Sequence, residues 1–302
     1  MPDPTYPPLP LVEWRDTKTT LHLFTQIVGK VRLACHPKLN HWWHAPFYLS
    51  ARGLTTGSMP SDYKLFEMEF DLIAHELTCK VSDGRIRSVP LKGKSVADFY
   101  ADVCTMLSDL GIPSSILAKP FDPSRAGSDI PFDQDHEHKA YDAEYVERFF
   151  RIMCGIEPIF RDFRGRFLGK CSPVHLFWHS FDLACTRFSG KAVPVADGAD
   201  PVTAEAYSHE VISGGFWVGD DNLPEPAFYT YVYPEPDGLA NEPLKPDHAW
   251  WQENEGSHMA LLRYEDFRHA DDPRRALLDF LQSAYDAGAK LAGWPRELDV
   301  RW

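Results

Sequence analysis

The chain has 302 residues, of which 44% are hydrophobic, 25% charged and 13% aromatic, and it carries a net charge of −13. That length and mix fit one large or two medium globular domains. The acidic balance, with no dominant run of Lys or Arg, excludes nucleic acid and anionic membrane as expected partners, and no stretch of about 18 apolar residues is present to form a transmembrane helix.

The N-terminus, Pro2-Asp3-Pro4-Thr5-Tyr6-Pro7-Pro8, lacks the basic and apolar blocks of a signal peptide, so residues 1–15 are expected to form an extended arm. Six scattered cysteines with no CxxC argue against a disulfide scaffold or zinc ribbon; several read as buried free thiols, and a reducing, cytoplasmic setting is expected. From Thr17 to about Cys35, Leu21, Phe24, Val28, Val31 and Cys35 recur at helical steps. A second stripe, His22-Gln26-Lys30, is either solvated or aimed into a site. Residues 47–52 read as a strand, and Phe66–Leu72 alternates cleanly as another, with a solvated acidic face. Leu77–Val81 and Arg85–Leu91 flank Ser82-Asp83-Gly84, a hairpin signal. Ser95 and Asp98 form a capping box for a helix that Gly111 stops.

Residues 113–141, rich in Pro, Ser and Asp, are the expected linker. Within it, Asp133-Gln134-Asp135-His136-Glu137-His138 is dense in ligand-type residues but lacks the glycine and spacing of a calcium loop. Asp142 caps a further helix that Pro158 is expected to kink or end. Strands are expected over 175–185, 206–213, 227–233 and 259–264, and Asp272-Pro273 opens a last helix ending at Gly293. This order gives an α+β protein with antiparallel sheets, built of two similar α–β(3–4)–α halves, 16–112 and 142–302, packed as one unit and related by internal duplication.

The two expected halves share a histidine–aromatic segment. Asn40-His41-Trp42-Trp43-His44-Ala45-Pro46-Phe47-Tyr48-Leu49 aligns without gaps on Val174-His175-Leu176-Phe177-Trp178-His179-Ser180-Phe181-Asp182-Leu183, placing His41 on His175 and Phe47 on Phe181. Imidazole and indole are costly to bury without partners, so both segments point to a polar site inside an aromatic shell. If each is extended, alternation gives His175, Phe177, His179 and Phe181 one buried face, and His41, Trp43, Ala45 and Phe47 the matching one, so that His41 and His175 approach each other. His209, in Tyr207-Ser208-His209-Glu210, would share a face with Tyr207. Three neutral imidazoles can act as acid–base groups or hold zinc or a transition metal; hydrogen-bonded core histidines are the alternative.

A second cluster, Arg161-Asp162-Phe163-Arg164-Gly165-Arg166-Phe167-Leu168-Gly169-Lys170, concentrates basic residues just before the second segment. It is an expected anion site, or else a basic helix end; it is not a P-loop. Arg52 and Arg187 sit where they could add to it. Cys171 and Cys185 lie close to a histidine, with nothing in the sequence to mark an activated thiolate.

Several of these segments resemble a family known only as a domain of unknown function, found in bacteria and fungi. The resemblance spans nearly the whole chain. It is carried by residues 22–30, by Asn40-His41-Trp42-Trp43-His44, by 51–56, by Phe163–His175, by Tyr207-Ser208-His209-Glu210 and by Tyr233-Pro234-Glu235-Pro236-Asp237-Gly238. It implies membership without an activity. His179 stands where the family pattern has a small residue, and His136 departs similarly.

The expectation is therefore an enzyme acting on a small anionic organic molecule in a buried pocket. His41, His175 and His209 would be the acid–base groups or metal ligands. Lys170, Arg52 and Arg166 would hold the anion, and Trp42, Trp43, Trp178 and Tyr207 would pack the organic part. The alternatives are a non-catalytic small-molecule binder using the same residues, or a scaffold whose Pro-rich arms, 2–10 and 234–246, dock partners.

Overall fold

The computed structural model describes residues 6–113, 115–194, 198–254 and 256–300; residues 1–5 of the expected arm lie outside this set. In chain order the elements are α1 (Leu11–Cys35), β1 (Tyr48–Leu49), β2 (Gly53–Thr55), β3 (Met59–Ser61), β4 (Lys64–Asp71), β5 (Glu76–Val81), β6 (Ile86–Pro90), α2 (Val96–Asp109), α3 (Pro123–Ala126) and α4 (Ala143–Gly165). There follow β7 (His175–Phe177), β8 (Asp182–Ala192), α5 (Pro201–Ala206), β9 (His209–Trp217), β10 (Ala227–Tyr233), β11 (Trp250–Asn254), β12 (Ser257–Arg263), α6 (Tyr264–Arg268) and α7 (Pro273–Leu291).

The fold is α+β, with two antiparallel sheets. The first runs β1-β2-β4-β5-β6, with β3 on β4; the second runs β11-β12-β10-β9-β8-β7. They meet where Phe47 and Leu176 exchange two backbone hydrogen bonds, each 2.8 Å. This register sets Phe47 opposite Leu176. Phe66, Met68 and Phe70 of β4 and Phe228 and Val232 of β10 point into a core shared with α1, α2, α4 and α7. The opposite face of β4 is polar: Glu67, Glu69 and Asp71 bond to Thr55, to Ser50 and Lys80, and to Arg52.

Helix α1 begins at Leu11, earlier than Thr17, and both of its stripes are covered. His22 and Gln26 are fully buried. The His22 Nε2–H donates to the Trp178 carbonyl at 2.9 Å, and the Gln26 amide bonds the backbone of Phe121 through both its oxygen and its nitrogen. The Ser95/Asp98 box caps α2 as the spacing predicts, and Asp142 accepts from the backbone at the start of α4. In the 113–141 segment, Phe132 and Asp135 are buried, and the carbonyls of Asp135 and His138 accept from Ala97 and Val96 at the start of α2. Asp135 also accepts from its own loop, through the backbone of Glu137 and His138 and the His138 ring.

Three local expectations are corrected. Pro158 does not end α4, which runs on to Gly165. It lies on an exposed face, so the Cys154 carbonyl that loses its helical partner is on the wet side. His41 is not in a strand: residues 40–42 form a short 3-10 turn, with His41 at φ 55° and Trp42 at φ 60°. The 175–185 stretch is not one strand either. β7 ends at Phe177, and a turn closed by the Phe181 N–H to the Phe177 carbonyl (2.7 Å), with Phe181 at φ 57°, leads into β8. His175 and His179 are thus not alternate residues of a single strand.

Candidate functional site

Three segments distant in sequence meet at the left-handed turn. Its residues are fastened by Glu205, at the end of α5. The His41 backbone N–H donates to the Glu205 carboxylate at 3.1 Å, and His41 Nδ1 lies 3.1 Å from the Glu205 carbonyl. A carbonyl can only accept, so Nδ1 carries the proton and Nε2 is left as an acceptor. Lys170 Nζ sits 2.7 Å from that Nε2. Lys38 neutralises the Glu205 carboxylate at 2.9 Å and holds it below the usual carboxylate range.

Aromatic rings flank the pair, of which His41 is buried and Lys170 exposed. Lys170 Nζ is 5.2 Å from the ring centroids of both Trp43 and Phe188, within cation–π range. The His41 ring lies 4.6 Å from Phe188, 5.4 Å from Trp43 and 5.8 Å, edge on, from His209. His209 Nδ1 is 3.0 Å from the Ser208 hydroxyl. Burial lowers the ammonium affinity of Lys170 for its proton, and burial followed by the Lys170 charge lowers that of His41. The nearest polar partner of Lys170 Nζ is thus the acceptor nitrogen of an imidazole whose protonation burial opposes. Among the described residues no carboxylate forms an ion pair with Lys170.

The Lys170 neighbourhood extends along one face of the second sheet. Cross-strand register puts Phe188, Val211 and Tyr233 side by side, then Thr186, Ser213 and Tyr231, then Ala184, Gly215 and Tyr229. The Tyr207 hydroxyl donates to that of Tyr231 at 3.2 Å, and Tyr229 bonds Asp182.

The other expected site residues are elsewhere. His175, fully buried, has Phe177 at 4.6 Å and Tyr48 at 6.2 Å between ring centroids, and neither ring nitrogen has a partner. Burial, reinforced by the Arg32 charge, pushes its pKa down to about 3. Arg52 pairs with Asp71, and Arg166 lies 3.7 Å from Asp162, so these two cations are already matched and do not converge on Lys170. Trp42 stacks on His44 with Lys38 5.3 Å above its ring, beside the turn. The Trp178 indole donates to the Ala45 carbonyl at 3.0 Å and packs on α1.

The expected trio of His41, His175 and His209 is thus brought together only as His41 with His209. No three His, Cys, Asp or Glu side chains among the described residues are grouped so as to hold a metal ion. Two surface depressions, of 760 and 320 Å³, are lined by residues around Val12–Asp16 with Ala140–Ala143, and by residues around Pro246 and His269, away from the Lys170–His41 dyad. Sequence reasoning missed Glu205 and Phe188. Glu205 reaches His41 from a distant helix, partly through its backbone carbonyl, and Phe188 is one more aromatic in a strand, so neither carries a pattern of its own.

Set against known proteins, residues 6–300 match the model of a family of unknown function, DUF5996. No curated protein matches, and no solved structure matches.

Proposed function

Since the chain belongs to DUF5996, a family without an assigned activity, we propose from its own residues that it is an enzyme for a small anionic organic molecule, built on the Lys170–His41 dyad. In this reading the Lys170 ammonium receives the anionic group. His41 Nε2 takes a proton when the ligand displaces it from Lys170. Trp43 and Phe188 contact the organic part, with His209 at the edge.

The observation that carries the reading is the 2.7 Å contact between Lys170 Nζ and His41 Nε2, with no carboxylate ion-paired to Lys170 among the described residues. An exposed ammonium that rests on a neutral base and two ring faces, and not on a carboxylate, keeps its capacity for an anion arriving from solvent. The fixed His41 tautomer also prepares a proton acceptor at a defined atom.

The test is a ligand-detected NMR screen of small carboxylates and phosphates against wild type, Lys170→Met and His41→Gln. A charge-assisted hydrogen bond contributes roughly 1.5–3 kcal/mol, so either variant should weaken a genuine ligand roughly ten- to hundredfold. Ligands that bind wild type and both variants equally would move the site away from the dyad. Turnover of a captured ligand, followed by NMR over hours, separates an enzyme from a binding protein using the same residues.

A further inference from the structure

Lys170 and Cys171 are adjacent in sequence yet serve opposite faces of the second sheet. The Phe188 N–H donates to the Lys170 carbonyl at 3.0 Å, the Ser172 N–H to the Thr186 carbonyl at 2.8 Å, and Cys171 stands directly opposite Arg187. Alternation sends Lys170 toward His41 and Cys171 toward the helices. There its Sγ lies 3.7 Å from the Sγ of Cys185, two residues before Arg187 on β8.

Arg187 is fully buried. Its guanidinium carbon is 3.5 Å from the Phe163 ring centroid and 4.2 Å from that of Tyr285. One terminal nitrogen donates to the Phe163 carbonyl, while Nε and Nη1 have no partner. A buried cation without a direct ion-pair partner is costly, and the ionisable groups acting on it include Tyr285, Cys171, Cys185, Asp299 and Asp286. Asp299 accepts from the Tyr285 hydroxyl at 2.7 Å, and burial makes that phenol harder to ionise. A thiolate at Cys171, on the same face and directly opposite Arg187, would add to the carboxylates of Asp299 and Asp286 in answering that charge.

We propose that Cys171 and Cys185 form a redox-active dithiol that reduces hydroperoxides, with Cys171 as the attacking thiol, Cys185 as the resolving thiol and Arg187 as the fixed counter-ion. The Cys171 thiolate attacks the terminal peroxide oxygen. The O–O bond breaks, the leaving alkoxide takes a proton, and Cys171 becomes a sulfenic acid. The Cys185 thiol then attacks that sulfur, a disulfide forms and water leaves. Two thiols and one hydroperoxide thus give one disulfide, one alcohol and one water. Closing from van der Waals contact to a disulfide needs less than about 2 Å of sulfur movement. The hydrogen bond from Cys185, then Arg187 and Arg164, favour the Cys171 thiolate against burial, whereas the Cys185 thiol is pushed well up. Burial also pushes up the thiols of Cys104 and Cys154, although both residues are exposed.

The experiment treats reduced full-length protein with stoichiometric hydrogen peroxide at neutral pH, then alkylates and maps the cysteines by peptide mass spectrometry. The Cys171–Cys185 disulfide should form about tenfold faster than oxidation at Cys104 or Cys154, because the Cys171 thiol has a resolving partner in contact and is favoured as thiolate, whereas the other two are not. Cys185→Ser should accumulate a Cys171 sulfenic acid that dimedone captures, and Cys171→Ala should abolish the fast phase. Oxidation of Cys104 and Cys154 first, with Cys171 and Cys185 still alkylatable as thiols after denaturation, would overturn the proposal. That ordering is read on wild type and needs no variant to fold.

Discussion

His22 and His175 are imidazoles that folding keeps neutral. Each is pushed down to about 3, mainly by burial, with Lys18 adding to the effect at His22 and Arg32 at His175. Their folded pKa values lie below the unfolded value near 6.5, so above that pH both states are neutral and nothing is lost. As pH falls from about 6.5 toward 3, the unfolded chain binds protons that the folded chain refuses, and stability drops. Each histidine contributes roughly 1 to 2 kcal/mol of loss per pH unit across that window. Urea midpoints at pH 7 and pH 5 should therefore separate clearly in wild type, and far less in His22→Gln/His175→Gln. An unchanged separation in the double variant would remove these residues as the cause. The same pair shows what a residue type leaves unsaid. Histidine 175 was legible in sequence as buried, but its distance from His41 was not, because that depends on a left-handed turn at 41–42 held by Glu205 from another element.

Helix α1 meets the second histidine–aromatic segment at Gly29. A Cβ built there would lie 2.4 Å from Cγ and Cδ1 of Trp178, whose indole is fixed by the Ala45 carbonyl. Gly to Ala inside a helix ordinarily stabilises by about 1 kcal/mol. Here overpacking should reverse the sign, and Gly29→Ala should destabilise by roughly 1–3 kcal/mol in chemical denaturation. A gain in stability would show that Trp178 is free to move. Elements governed by local chemistry were readable from sequence: the alternation of β4, the β5–β6 hairpin at Asp83-Gly84, the Ser95/Asp98 box, the Asp142 cap and the Asp272-Pro273 start of α7. Elements set by distant partners were not. Residues 175–185 have the composition of one strand, yet the chain turns at 178–181, where Trp178 leaves the sheet to pack on α1. The dyad belongs to this second class. Lys170 and His41 were each singled out, but only the placement of the 40–42 turn over β8 makes them neighbours.

At the scale of the whole molecule, α1 and the segment before it are bonded to both sides of the 113–141 segment. Lys18 Nζ donates to the Gly219 carbonyl at 2.8 Å, the Thr17 hydroxyl accepts from the Asp142 N–H at 2.9 Å, and α1 packs on α2 and α4. The Tyr264 hydroxyl and the Arg268 guanidinium donate to the carbonyls of Pro7 and Tyr6 at 2.8 and 3.1 Å. With the sheets also joined through Phe47 and Leu176, differential scanning calorimetry should give one transition whose van't Hoff and calorimetric enthalpies agree. Two resolved transitions would mean that the halves melt independently. This arrangement also bears on biosynthesis. Tyr264 and Arg268, which clamp the preceding segment, leave the ribosome more than two hundred residues after Leu21, Phe24, Ile27 and Val28. At translation rates of about 5–20 residues per second, that leaves the first helix waiting on the order of ten to fifty seconds for its last contacts. During that interval its apolar and histidine-bearing faces stay open, so a shortage of chaperones is expected to lower the yield of folded protein.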